Sequence, residues 1–431
     1  MFLLFIILIS LSLFFRRVSG LEDPLIRYTY LLPAGITFLL LHDKFPKNSD
    51  YYTVLFSLLI TLVVVSFSNP KYCQPKSIKK STIYVLIVVS IIGLIFTILD
   101  ILINFDFSKS VYMTGSFDYR GDLNNSAFRF AASSLLELSI PAFVITRNYG
   151  YKFFSRIFLL WIILDILLSL VNPSKALVLN FLSIALDWLF WLKVLSSKGI
   201  YFKPIINTNM LSVSKKFFKQ LISLSSVVLI IIISSLIAFN YLLNLDLVQS
   251  YEILKFRLFD ASYDLAFNVI KSDDVRLDLT NIPVNEFSNI IELWLKPIFK
   301  NLFNIEYKFD TIPKYIDFLR QGSRGNYGFS SPNSNLFLET TILHGRILGL
   351  FIMSSIVIFG AYIRRKFLSL RIIDTKFICF IPIILKGPVF CFQESLGFFT
   401  GYFYCYLTVV IFFGILINFV IREDFIMSSS K

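Results

Sequence analysis

KYCQPKSIKKSTIYVLIVVSIIGLIFTILDILIN (71–104) is the stretch that decides the fold. Four lysines, Lys71, Lys76, Lys79 and Lys80, stand before an apolar run over 82–104. A helix needs about 20 apolar residues to cross roughly 30 Å of hydrocarbon, so this run is long enough to span a bilayer. Basic residues crowd the side of a membrane protein that is not translocated, so the lysine end of the run is assigned to the inside.

Reading outward, further apolar runs lie at 2–15, 25–41, 53–68, 131–147, 155–172, 176–195, 221–245, 336–362, 377–394 and 399–421. With 82–104 they make eleven predicted spans. Asn172 to Lys175 form a tight hairpin between two of them. The first run, MFLLFIILISLSLFF, has Arg16 and Arg17 after it and no small-x-small cleavage site, so it reads as a retained helix.

Loop charge tests the count. With the N-terminus outside, the inside segments hold 22 basic residues. They are grouped at 16–17, 71–80, 147–156, 193–219, 364–376 and 422–431. The short outside loops hold six: Lys44, Lys47, Lys109, Arg120, Arg129 and Lys175. Each inside segment holds at least as many basic residues as the short outside loops beside it, and an even number of spans would break that alternation. The C-terminus is then inside and the N-terminus outside.

Composition agrees. The 431 residues are 56% apolar and only 16% charged, with mean hydropathy +0.72. Soluble domains carry about 25% charged residues, so the deficit points to lipid as the main solvent. The net charge of +13 follows from the inside loops, and no nucleic-acid partner is implied. The four cysteines, Cys73, Cys379, Cys391 and Cys405, show no metal-ligand spacing, and no cofactor is expected.

The expected architecture is an all-α polytopic membrane protein. Residues 1–245 carry helices 1 to 8, 246–335 form a large outer loop, and 336–431 carry helices 9 to 11. The loop has ten basic and twelve acidic residues, nearly neutral and long enough to translocate regardless of charge. Within it, 251–270 and 287–303 have apolar residues at helical spacing and read as amphipathic helices.

Ionisable groups inside spans are costly and mark sites by default. Glu137, Asp165, Lys386 and Asp100 fall in the outer half of their runs, and Glu339 and Glu394 at the outer boundary. That shared depth predicts a wet cavity open to the outside, although any single acid can instead pair with a neighbouring helix. Two segments flank the cavity. RGDLNNSAFRF (120–130) offers Arg120 and Arg129, whose guanidinium forks match phosphate oxygens. SRGNYGFSSPNSNLFLETTILHGRILGL (323–350) offers Arg324 and Tyr327 in a Gly-rich loop, then Asn335, Glu339 and Arg346 on roughly one helical face. His344 lies within the same apolar helix, where an imidazole shuttles protons at neutral pH. A satisfied buried histidine is the competing reading.

With these features the chain resembles the Wzy-type polymerases of O-antigen and capsule repeat units, which share a GT-C-like architecture with the O-antigen ligases. The resemblance spans the chain as topology and is local at Arg120 and at SPNSNLFLETTILHGRILG, with Asn333, Ser334 and Gly345. Pro332 and Asn333 stand where the ligases carry paired histidines, which favours the polymerases. The resemblance implies a metal-independent glycosyltransferase of the bacterial inner membrane. Its donor and acceptor would be undecaprenyl-diphosphate-linked glycans, and a Wzz-type chain-length regulator its partner. His344 and Glu339 would be the catalytic pair. Arg120, Arg129, Arg324, Arg346, Asn335, Tyr327, Lys386 and Glu137 would bind substrate. The alternatives are a ligase acting on lipid A core and, in a different class, a lipid-linked oligosaccharide flippase.

Overall fold

The computed structural model describes residues 17–18, 64, 68–104, 127–171, 187–195, 200–201, 203–204, 233, 236–237, 240, 246–255, 336–386, 403–420 and 425–426. The spans expected at 2–15 and 25–41, nearly all of 53–68 and 221–245, and the outer loop beyond 255 lie outside those residues. Helix makes up 83% of the described part, so the all-α class holds there.

In chain order the elements are β1 (Arg17–Val18), β2 (Tyr72–Cys73), β3 (Ser77–Lys79), α1 (Lys80–Asn104), α2 (Ala127–Leu136), α3 (Ser139–Asn148) and α4 (Lys152–Val171). There follow β4 (Ile200–Tyr201), β5 (Lys203–Pro204), α5 (Leu247–Lys255), α6 (Leu336–Ser369), β6 (Ile372–Ile373), α7 (Thr375–Cys379), α8 (Ile381–Lys386), α9 (Phe403–Val420) and β7 (Phe425–Ile426). Two helical stretches, Lys80–Ile103 and Leu348–Ser369, are long and apolar enough to cross a membrane. Cys405–Val420 is apolar but shorter.

The core forms where α1 packs on α2, α3, α4 and α9. Val85, Leu86 and Val89 of α1 are fully buried, as are Phe158 and Trp161 of α4. Gly93 lets α4 come close: a Cβ there would stand 2.5 Å from Cη2 of Trp161. The indole is then held by a relay, Nε1 donating to Oγ1 of Thr97 at 2.9 Å and that hydroxyl donating to the Gly93 carbonyl at 2.9 Å. Small residues at such crossings let apolar helices interlock without a hydrophobic driving force between them.

The span expected at 131–147 is two helices, α2 and α3, interrupted at Glu137 and Leu138. Pro141 is the cause. It lacks the N–H that would reach the Glu137 carbonyl four residues back, and its ring crowds that carbonyl. The helix restarts with Ala142 N–H donating to Leu138 O at 2.8 Å. At the far end of α3 the chain turns through a Schellman motif. Tyr151 N–H reaches Thr146 O at 2.8 Å and Gly150 N–H reaches Arg147 O at 3.4 Å. Gly150 has φ +89°, a conformation that a side chain would strain.

Helix α6 runs 34 residues, beyond both ends of ordinary bilayer need, about 51 Å at 1.5 Å per residue. It continues to Ser369, past the expected limit of 362. The expected span at 377–394 opens with two short helices, α7 and α8, parted at Phe380. Helix α5 starts at a reciprocal capping box: Asp246 Oδ1 accepts from Gln249 N at 2.7 Å, and Asp246 N donates to Gln249 Oε1 at 3.2 Å.

The strands were not expected, and their origin is informative. β1 pairs antiparallel with β5, and β2 antiparallel with β4. β3 pairs parallel with β6 and antiparallel with β7. Every one of these strands lies in, or directly beside, a segment that loop charge assigns to the inside.

Candidate functional site

Two polar regions emerge, at opposite ends of α6. Near its start, α6 carries Glu339, His344 and Arg346 as one uninterrupted helix. At 3.6 residues per turn, Glu339 and Arg346 are within about 20° of one face, whereas His344 sits about 140° around the axis from Glu339. On the helix, Glu339 and Arg346 therefore share a face and His344 lies on another. Arg129 falls on the first turn of α2, and Lys386 on the last turn of α8. The side chains of Arg129, Glu339, His344, Arg346 and Lys386 fall outside the described part, and so do Arg120, Arg324, Tyr327 and Asn335 altogether. Glu137 is described: it occupies the break between α2 and α3, partly buried. Tyr406, a fully buried α9 residue, donates its hydroxyl to the Ile378 carbonyl. The break at Pro141 thus places a carboxylate where backbone groups have also lost their helical partners.

At the far end of α6 the side chains are defined. The last turns of any helix leave carbonyls without N–H partners. Here Lys76, from the segment before α1, supplies the missing donors. Its Nζ donates to Phe367 O at 2.7 Å, to Leu368 O at 2.9 Å and also to Leu370 O. A cation is well placed there, because the helix dipole presents partial negative charge at its C-terminus. The ammonium also lies 5.3 Å from the centroid of the Phe367 ring. The backbone locks the same contact, Ser77 N–H donating to Arg371 O at 2.8 Å. From the α3–α4 turn, Tyr149 Oη donates to the Lys76 carbonyl at 2.8 Å.

Arg364 lies one turn earlier on α6 and is fully buried. Its Nε donates to Asn69 Oδ1 at 3.1 Å, and Nη1 donates to Ile384 O of α8 at 2.8 Å. The guanidinium carbon stands 5.0 Å from the Phe190 ring centroid. One arginine so joins α6, α8, the segment before β2 and the helical stretch 187–194.

Burial sets the electrostatics. Desolvation lowers the Lys76 ammonium to about 8. It raises the Cys73 thiol, against the opposing pull of Lys76 and Arg364. It raises the Tyr149 phenol as well, and the Tyr151 phenol, which Tyr84 pushes in the same direction. With their donors committed to carbonyls and an amide, Lys76 and Arg364 are suited to holding elements together. Counting basic residues by loop treats both as exposed topology charges. For Lys76 the separating signal is local, since it stands apart from other charges beside Pro75; Arg364 sits in the basic run Arg364, Arg365, Lys366, and nothing in that run marks it as the buried one.

The comparisons with known proteins are negative. No protein-family model, curated protein or solved structure matches this chain.

Proposed function

We propose that the chain is an eleven-span inner-membrane glycosyltransferase that polymerises undecaprenyl-diphosphate-linked repeat units into O-antigen or capsular polysaccharide at the periplasmic face. The observation that carries this reading is the segment SPNSNLFLETTILHGRILG (331–349) behind a 90-residue outer loop, with Arg120 before an earlier span. Two structural features support it. From Leu336 on, the segment enters one continuous helix, which holds Glu339 and Arg346 in fixed register. The strand pairings join only segments that the charge pattern assigns to one side, as an alternating eleven-span path requires.

In the proposed reaction the acceptor hydroxyl attacks the anomeric carbon of the donor glycan. A new glycosidic C–O bond forms and the bond to undecaprenyl diphosphate breaks. The hydroxyl proton goes to a base, Glu339 or His344. The diphosphate leaves with its negative charge held by Arg120, Arg129, Arg324 and Arg346, which is electrostatic stabilisation without a metal. Asn335, Tyr327, Glu137 and Lys386 would line the sugar path. The outer loop would admit two lipid-tailed substrates, and a Wzz-type regulator would set chain length.

A chromosomal deletion tests the assignment through the lipopolysaccharide it leaves. A polymerase null caps core with a single repeat unit, a ligase null leaves core uncapped, and a flippase null holds repeats on the cytoplasmic side. A full ladder in the null overturns the proposal.

A further inference from the structure

The exposed side chains of α4 and α6 form two stripes of the same construction. On α4, Phe153, Leu160, Ile163 and Leu167 are exposed, with Leu160 51% and Leu167 50% open. They recur at helical spacing on one face, opposite the buried Phe158, Trp161 and Ile162. At the α3 end this face finishes in Lys152 and Arg156, both exposed and one turn apart. On α6, Leu348, Phe351, Ile358, Phe359 and Tyr362 are exposed along one side. That stripe finishes in Arg365 and Lys366, again exposed, with Lys366 Nζ 5.8 Å from the Tyr362 ring centroid.

Both stripes end at the same level of the molecule. Lys76 ties them together, its carbonyl accepting from Tyr149 beside α4 and its ammonium donating to the end of α6. Across 68–80, 147–156 and 363–376, Asp374 is the only carboxylate. It is engaged, because it N-caps α7 by accepting from Lys376 N at 3.1 Å. An apolar stripe suits acyl chains, an aromatic at its margin suits the interface, and a pair of exposed cations above it, with no ion pair among the described residues, suits anions. One ligand meets all three in that order.

We propose that Lys152 with Arg156, and Arg365 with Lys366, form two headgroup sites for anionic diacyl phospholipid in the leaflet at this end of the molecule, with the acyl chains lying along the α4 and α6 stripes. The proposal rests on the chain's lying in a bilayer and is independent of glycosyl transfer. These cations therefore do more than orient the chain during insertion. They retain lipid afterwards, and the retained lipid braces the Lys76 junction from both sides.

The test uses the full chain purified in zwitterionic detergent. Native mass spectrometry counts retained lipid, and thermal unfolding is followed during titration with phosphatidylglycerol, phosphatidylcholine or glycerol 3-phosphate. Phosphatidylglycerol is expected to bind and to raise the unfolding temperature. The other two have no comparable effect, since one lacks net charge and the other lacks tails. Affinity should fall roughly fivefold for each cation removed in K152Q/R156Q and in R365Q/K366Q. It should also weaken steeply toward 1 M salt, where the screening length is only about 3 Å. All four side chains are exposed, so the variants should fold. If a variant does not, salt displacement of phosphatidylglycerol from the wild-type chain decides alone. Equal retention of phosphatidylcholine, salt-insensitive binding, or an unchanged phosphatidylglycerol response in the fourfold variant would overturn the proposal and leave these cations with an insertion role only.

Discussion

The two ends of α6 differ in how their charges are used. At the start, Glu339, His344 and Arg346 occupy a helix preceded in sequence by a stretch rich in Gly, Ser and Asn. At the finish, Arg364 is fully buried and the helix terminus is closed by a lysine from 291 residues earlier in the chain. At the second end the two buried cations, Lys76 and Arg364, donate hydrogen bonds within the protein. Under the proposed function, charges at the first end keep theirs for a substrate. A buried cation that donates to protein carbonyls or an amide marks structure. The sequence alone shows the cations of both ends simply as Lys or Arg.

The largest expected effect lies at the proposed catalytic end. Arg120→Ala and His344→Ala should each lower polymer formation by about 100-fold or more at normal expression, read as collapse of the lipopolysaccharide ladder. Glu339→Gln sharpens the choice of base, because His344 lies on another face of the helix. Long chains retained in both the Arg120 and His344 variants would remove these residues from the site.

At the other end the effect should be on folding, with activity per folded molecule unchanged. Lys76→Met leaves the Phe367, Leu368 and Leu370 carbonyls without their donor and should cost about 3 kcal/mol, measured as folded yield and unfolding temperature in detergent. If Lys76→Met abolishes polymer while folded protein stays normal, the division between the two ends is wrong.

Gly93→Ala drives a methyl into Trp161 and should cost about 2 kcal/mol. Pairing it with Trp161→Phe should restore part of that loss, since the clashing Cη2 and Cζ2 atoms are removed. Gly150→Ala is expected to cost about 1 kcal/mol through its positive φ alone, because nothing lies within 4 Å of the added Cβ.

A further effect is a pH slope. The Lys76 ammonium titrates near 8 in the folded chain against 10.5 for an ordinary lysine. Between those values the unfolded chain binds more protons than the folded one, so stability should rise with pH from about 8 to 10.5 and be flat below 8 on this account. The neutral amine still donates to carbonyls, so the helix end stays closed. Comparing unfolding temperatures of wild type and Lys76→Met across that range isolates the slope, which should vanish in the variant.

Much of the helical layout was legible. The run expected at 82–104 is helix from Lys80 to Asn104, and that at 155–172 is helix from Lys152 to Val171. Hydropathy and helix formation are both short-range properties, so a window of about 20 residues holds the information. The break at Glu137 was legible in principle, since Pro141 stands inside the apolar run, but an average over the window hides a single residue. At the proposed site the residue types and their spacing on α6 could be read, because a helix converts spacing into faces.

Loop charge by itself groups the segments expected to share a side, and periodicity gives the residues that share a helical face. Only the tertiary structure decided which of the Lys and Arg residues are spent inside the protein. Lys76 closing α6 and Arg364 bridging Asn69 to Ile384 are contacts between segments remote in sequence. Chain order carries no distance for such pairs, and burial of a charge depends on every element that surrounds it.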